Sequence, residues 1–204
     1  MDAAQTMAAG ANLRDLKRRM ILEAARGIFA ARGLQAASMR EIAQAAACTT
    51  GAIYQLFPGK EAILAALLNE SLDKAGAALL RGLQAKTDAA QQLLGGLRGW
   101  LGHFRDNGAD ADLLLQGFAD PALARDLRQS LQQALAPVRD TLIAIGHLGA
   151  KMAELETAAL FAFLIGLLQS ERSGLLFAPE DAGQGIDALL GHHLDALIAR
   201  LTWE

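Results

Sequence analysis

The stretch "SMREIAQAAACTTGAIYQLFPGK", Ser38 to Lys60, decides the fold. Ser38 with Glu41 three residues later is a capping box, in which each side chain satisfies a backbone N–H left open at a helix start. It predicts a helix from Met39 to about Ala46. Thr49 is a second N-cap, so another short helix follows after three or so residues and runs to about Phe57, where Pro58 and Gly59 break it. Lys60 then opens a long helix. Two short helices joined by a tight turn and braced by a preceding helix make a helix-turn-helix unit. In such units the second helix enters the major groove of double-stranded DNA with its N-terminal residues toward the bases. Ile42, Ala43, Ala46, Cys48, Ile53 and Phe57 form the small core of this reading, and Thr49, Thr50, Gly51, Tyr54 and Gln55 are left facing outward. That face is small, polar and uncharged, which suits close approach. Tyr54 can give its hydroxyl to a phosphate, and Lys60 sits where a helix N-terminus already attracts anions.

Upstream, Ile21, Ala24, Ala25, Ile28 and Phe29 recur at helical spacing, so a first helix is expected over Leu13 to Ala31 with Gly33 as its C-cap. Residues 1–12, MDAAQTMAAGAN, read as a disordered tail and lack the basic-then-apolar order of a signal peptide. Net charge is −3, but unevenly placed. Leu13 to Lys60 holds eight basic and three acidic side chains, whereas residues 76–204 hold ten basic and fifteen acidic ones. A basic head on an acidic body points to an anionic partner for the head. Arg14, Lys17, Arg18 and Arg19 are candidates for the DNA backbone, or simply an exposed arm.

Downstream the signals are coarser. Ile63, Leu64, Leu67, Leu68, Leu72, Leu79, Leu80 and Leu83 keep a helical period in the helix opened by Lys60. Asp88 caps a helix through Trp100 and Phe104, stopped by "DNG" at 106–108. Leu113 to Phe118 makes a short one. Asp120 and Pro121 start another, which Pro137 should kink. Gly146 and Gly149 mark a break, and two apolar helices follow over 151–177 and 181–203. No run of alternating β-branched residues is present, so the expected fold is all-α. It has an N-terminal three-helix DNA-binding domain (13–75, with the motif at 38–57), joined by a long helix to a C-terminal helical domain (76–204).

Ile21 to Leu64, "ILEAARGIFAARGLQAASMREIAQAAACTTGAIYQLFPGKEAIL", resembles the N-terminal domain of the TetR family of transcriptional regulators. It follows that family's apolar first helix, capped second helix, G-x-[IL]-Y-x-x-F pattern and lysine before an apolar helix. The resemblance covers about a quarter of the chain and implies a homodimeric repressor that leaves DNA when a small molecule enters the C-terminal domain. By position it makes Arg40, Thr49, Thr50, Tyr54 and Lys60 the DNA-contact residues. Two departures stand out. Ala47 occupies the turn where the family usually has glycine, and Thr50 stands where a lysine commonly precedes the glycine of the pattern.

In the C-terminal body, Trp100, His103, Phe104, Gln116, Phe118, His147, Phe161 and Phe163 are bulky or polar positions on Ala/Leu helices. They are candidates for an effector cavity or for ordinary core. The stripe that includes Leu190, Leu194 and Leu197, next to a helix apolar nearly all round, suggests a four-helix interface between two chains. No nucleophile elbow, phosphate loop or acid–base pair appears, so no catalytic residue is expected. No cofactor is implied, and the adjacent pair His192-His193 cannot face one way, so no metal site is expected. The single cysteine, Cys48, fits a reducing cytoplasm. Thr157 to Leu168 is too short to span a bilayer. Two other readings stay open: a DNA-binding protein without small-molecule input, and a helical carrier with a vestigial head.

Overall fold

A computed structural model describes residues 3–84, 88–119, 121–177 and 180–202. Among the described residues the secondary structure is entirely helical. Its helices are α1 (Ala3–Ala36), α2 (Met39–Ala45), α3 (Thr50–Tyr54), α4 (Lys60–Gln84), α5 (Ala89–Asp106), α6 (Gly108–Ala119), α7 (Pro121–Gly146), α8 (Ala150–Ser173) and α9 (Ala182–Leu201). They fall into two compact units. The first holds residues 1–70 and 112–127, and the second holds 71–111 and 128–204.

In the first unit, helical backbone begins at Ala3, ten residues ahead of Leu13, in a stretch where alanine is frequent and favours helix. Gly33, at φ 77 and ψ 164, interrupts the helical path near the end of α1. Only glycine adopts that conformation cheaply, which is why the chain turns there. Ile21, Leu22, Ala25 and Phe29 of α1 are buried with Ile42 and Ala43 of α2, Ile53 of α3, and Ile63, Leu64, Leu67 and Leu68 of α4. Glu70 of α4 clasps α1 through Arg18 at 3.4 Å and Arg26 at 3.7 Å.

In the second unit, α5, α8 and α9 pack together. Arg105 of α5 binds Glu171 of α8 at 2.9 Å and Asp187 of α9 at 3.0 Å. Burial disfavours its charge, but the hydrogen bonds and fields of the two carboxylates outweigh that, so the guanidinium pKa is raised. Leu190, Leu194 and Leu197 are buried inside this unit, on a helix whose neighbours are α5 and α8. The expectation that they meet a second copy therefore does not fit their placement. An apolar stripe tells which residues share a face, and here the chain's own helices cover that face.

Several helix ends differ from the sequence expectation for local reasons. α3 stops at Tyr54, and single turns carried by Leu56 N→Ile53 O and Phe57 N→Ile53 O (both 2.8 Å) complete the path to Phe57. α6 begins at Gly108 rather than Leu113, because Asn107 both ends α5 and accepts the first bonds of α6, from Asp110 N and Ala111 N. α8 ends at Ser173 rather than 177, because Gly174 takes a left-handed conformation at φ 63. α7 runs on through Pro137, at the cost of one backbone hydrogen bond. The cap expected at Asp120 lies outside the described residues.

Candidate nucleic-acid interface and effector site

The helix-turn-helix is built by caps. Ser38 Oγ accepts from Glu41 N at 3.3 Å, and Glu41 Oε2 accepts from Ser38 N at 3.1 Å, so both halves of the capping box are made. The Ser38 side chain and then its backbone N–H hold the Glu41 carboxyl below its usual pKa, helped by Arg32 at 3.2 Å. At the C-terminus of α2, Ala47 N donates to Gln44 O (3.2 Å) and Cys48 N donates to Ala43 O (2.9 Å). That pair of bonds is the Schellman motif, which needs a left-handed residue between them. Ala47 supplies it at φ 51.

Thr49 Oγ1 accepts from Ala52 N at 3.2 Å and so starts α3, leaving its own O–H free to donate outward. Ile53 and Phe57 point into the core, while Thr49, Gly51, Tyr54 and Gln55 are exposed and Thr50 is half-buried. Tyr54 stands 54% exposed. Arg40 is exposed on α2, on the same motif. Cys48 is half-buried rather than a core residue. Lys60 has a second role that the sequence did not reveal. Its Nζ donates to Gln35 O (3.1 Å) and Ala37 O (3.2 Å), tying the start of α4 to the α1–α2 connection. One of its three ammonium hydrogens remains for another acceptor.

The effector candidates separate. Trp100, Phe104 and Phe161 lie together in the second unit, with ring centroids 4.6 Å (Trp100–Phe104) and 5.7 Å (Trp100–Phe161) apart. His103 is edge-on to Phe104 at 5.0 Å. Its Nε2 lies 3.2 Å from Ser71 Oγ of α4 and 3.5 Å from Asp110 Oδ2 of α6. Ser71 and Asp110 are almost fully buried, and the Trp100 indole N–H is buried without an acceptor. The result is a small polar cluster inside an aromatic core. Ser71 and Asp110 were invisible as site residues because they come from helices far apart in the chain. Gln116 and Phe118 belong to the first unit, where Gln116 Nε2 donates to Phe29 O at 3.4 Å. His147 is exposed at φ 48, in the turn before α8.

A profile of bacterial regulatory proteins of the tetR family matches residues 21–67, the segment that builds α1's core face, the capped α2, α3 and the start of α4. Residues 21–67 are therefore a TetR-family N-terminal helix-turn-helix segment. Over 58 residues it is 41% identical to the uncharacterised HTH-type transcriptional regulator YuxN of Bacillus subtilis, an alignment that spans 28% of this chain and 20% of that protein. The whole fold is similar to a transcriptional regulator of Rhodococcus sp. Rha1, with TM-score 0.69, 26% identity and coverage of 88% of this chain and 96% of that one. It is also similar to the fatty acid degradation regulator FadR of Bacillus halodurans, with TM-score 0.73, 18% identity and coverage of 92% and 97%. Both departures from the TetR pattern now have a place. Ala47 fills the left-handed turn position, and Thr50 is the first residue of α3.

Proposed function

We propose that the chain is a DNA-binding transcriptional regulator that represses as a homodimer and leaves its operator when a small, mostly apolar molecule binds the second unit. The observation that carries the reading is the outward row Thr49, Thr50, Gly51, Tyr54 and Gln55 on a helix set by its own cap and backed by Ile53 and Phe57. Backbone contacts come from Arg40, Tyr54, the Thr49 hydroxyl and the remaining hydrogen of Lys60. Thr50 also faces the backbone, and base contacts come from Gln55 and the close approach that Gly51 permits.

For the effector, Trp100, Phe104 and Phe161 supply an apolar surface. Ser71, His103 and Asp110 supply the few polar groups that orient a ligand in such sites. Ser71 lies on α4, and that same helix carries Lys60 at its start, so a ligand that displaces Ser71 acts on a helix shared with the DNA-binding unit. The ligand must prefer the state that does not bind DNA. For assembly, α8 has the composition of a membrane span, with a mean hydropathy of 1.5 over eighteen residues of which 33% are buried. Its open positions Leu155, Ala159, Ala162, Gly166 and Gln169 recur every three or four residues, as do Ala188, His192, Asp195 and Ala199 on α9. The small residues among them, Ala159, Ala162, Gly166, Ala188 and Ala199, let helices of two copies approach closely, so these faces take the second chain in a cytoplasmic dimer.

The test is a gel shift on the chain's own upstream DNA, followed by a ligand screen. Wild type should bind, and Tyr54→Ala should bind much more weakly with an unchanged melting temperature. A ligand that raises the melting temperature should release the DNA. Absence of any DNA complex would leave the carrier reading, and stabilising ligands that never release DNA would remove the effector.

A further inference from the structure

Among the described residues, the buried side-chain polar atoms without a hydrogen-bond partner are Arg105 Nη2, Gln116 Oε1 and Trp100 Nε1. Arg105 uses its other nitrogens on Glu171 and Asp187, and Gln116 still donates to Phe29 O. Trp100 is different, because an indole has a single donor and here that donor is unmet. The residue is 0% exposed, so bulk water does not reach it. A buried N–H left unpaired is costly and uncommon in a folded chain. Around it stand the rings of Phe104 and Phe161. His103 follows one turn along the same helix, with its Nε2 beside Ser71 Oγ and Asp110 Oδ2.

We propose that the effector is an uncharged, largely apolar molecule whose carbonyl oxygen accepts the Trp100 indole N–H. The inference rests on the effector reading and names the class of ligand that the site takes. A neutral carbonyl needs one donor, which Trp100 has to give, while the rest of the molecule lies against Phe104 and Phe161. A carboxylate or phosphate needs several donors or a cation once it leaves water, and one N–H among aromatic rings does not supply them. It would also share a low-dielectric core with the carboxyl group of Asp110, which is 2% exposed. A cation would be drawn to Asp110 and to the aromatic faces. It would, however, leave the indole N–H unmet and confront the positive end of that dipole, and Asp110 already faces the His103 imidazole at 3.5 Å. Trp100 therefore sets specificity, by telling a ketone or ester from a hydrocarbon of the same shape.

The test is titration calorimetry of the full chain with naphthalenes of matched shape: 2-acetylnaphthalene, 2-isopropylnaphthalene, 2-naphthoate and protonated 1-(2-naphthyl)ethylamine. The ketone should bind wild type about tenfold more tightly than the hydrocarbon, and the two charged probes more weakly than the ketone by at least about tenfold. Trp100→Phe keeps an aromatic ring but deletes the N–H. It should abolish the preference for the ketone and hold the affinity of the hydrocarbon within about twofold. The N–H itself is followed by NMR in Trp203→Phe, in which Trp100 is the one tryptophan left, and only the ketone should move it downfield. An equal or tighter naphthoate overturns the proposal in favour of an anion site, and an equal or tighter amine in favour of a cation site. A ketone preference that survives in Trp100→Phe overturns it too, as does an N–H resonance that the ketone leaves in place. The ranking and the resonance decide the matter even where Trp100→Phe does not fold. Binding of none of the probes also overturns the class. If a screened compound still raises the melting temperature and releases DNA, the effector reading stands without it; if no compound does, both fall.

Discussion

Ala47 and Gly174 occupy the same place in the same motif. Each sits between the two crossed bonds of a Schellman turn, Ala47 at φ 51 after α2 and Gly174 at φ 63 after α8. Glycine takes that conformation freely, whereas alanine brings its Cβ against the following carbonyl at a cost of roughly 1–2 kcal/mol. Part of that cost is offset because glycine loses more chain entropy on folding, roughly 0.5–1 kcal/mol. Ala47→Gly should therefore stabilise the chain by about 0.5–1 kcal/mol, seen as a higher urea midpoint at an unchanged m-value. A lower midpoint would mean that the turn is not left-handed in solution. Lys60 is the second residue whose meaning changes between sequence and structure. Lys60→Ala removes two hydrogen bonds to carbonyl oxygens from a half-exposed cation, so a loss of about 1 kcal/mol is expected alongside weaker DNA binding. Denaturant unfolding without DNA separates the effects: an unmoved midpoint would show that the carbonyl contacts contribute nothing net.

α5 lies against α4 at a distance that side chains would forbid. A Cβ on Gly95 would stand 2.9 Å from Gly82 O, and one on Gly99 2.6 Å from Ala78 O. Gly102, one turn on in the same helix, has nothing within 4 Å of its would-be Cβ. The pair isolates contact from propensity, since alanine gains about 1 kcal/mol over glycine in either helical position. Gly102→Ala should raise stability by about 0.5–1 kcal/mol. Gly99→Ala should lower it by about 1–3 kcal/mol as backbone is pushed from backbone. Thermal melts of both variants decide it, and two shifts of the same sign would mean that the helices are not in such close contact. None of this was legible in the sequence, where glycines in α4 and α5 read only as weak helix positions. What was legible was what local chemistry writes: the Ser38–Glu41 box, the Thr49 cap, the break at Pro58-Gly59 and the start at Asp88. The end of α8 was missed because "GLLF" after Ser173 looks like continuing apolar helix, and only the backbone of Gly174 says otherwise.

Across the whole molecule, the sequence located the apolar faces but not what covers them. A stripe such as Leu190, Leu194 and Leu197 has the same period whether a neighbouring helix or a second chain lies against it, and here the chain's own helices bury it. The exposed row of Thr49, Gly51, Tyr54 and Gln55 was easier, because the Thr49 cap and the buried Ile53 and Phe57 fix which way that short helix faces. The same asymmetry defines how the dimer should be tested. Leu194→Glu places a charge where the side chain is 1% exposed, so it should unfold the second unit whatever the assembly. Ala162→Glu lies on the open face of α8 and leaves the folded chain with nothing to lose. If α8 and α9 join two copies, Ala162→Glu puts two carboxylates near the two-fold axis, and each copy carries the insult to the other. Light scattering should then give a monomer mass with a wild-type circular dichroism spectrum. Affinity for a two-half-site operator should collapse toward that of one half-site. A dimer of undiminished stability would move the interface off α8 altogether.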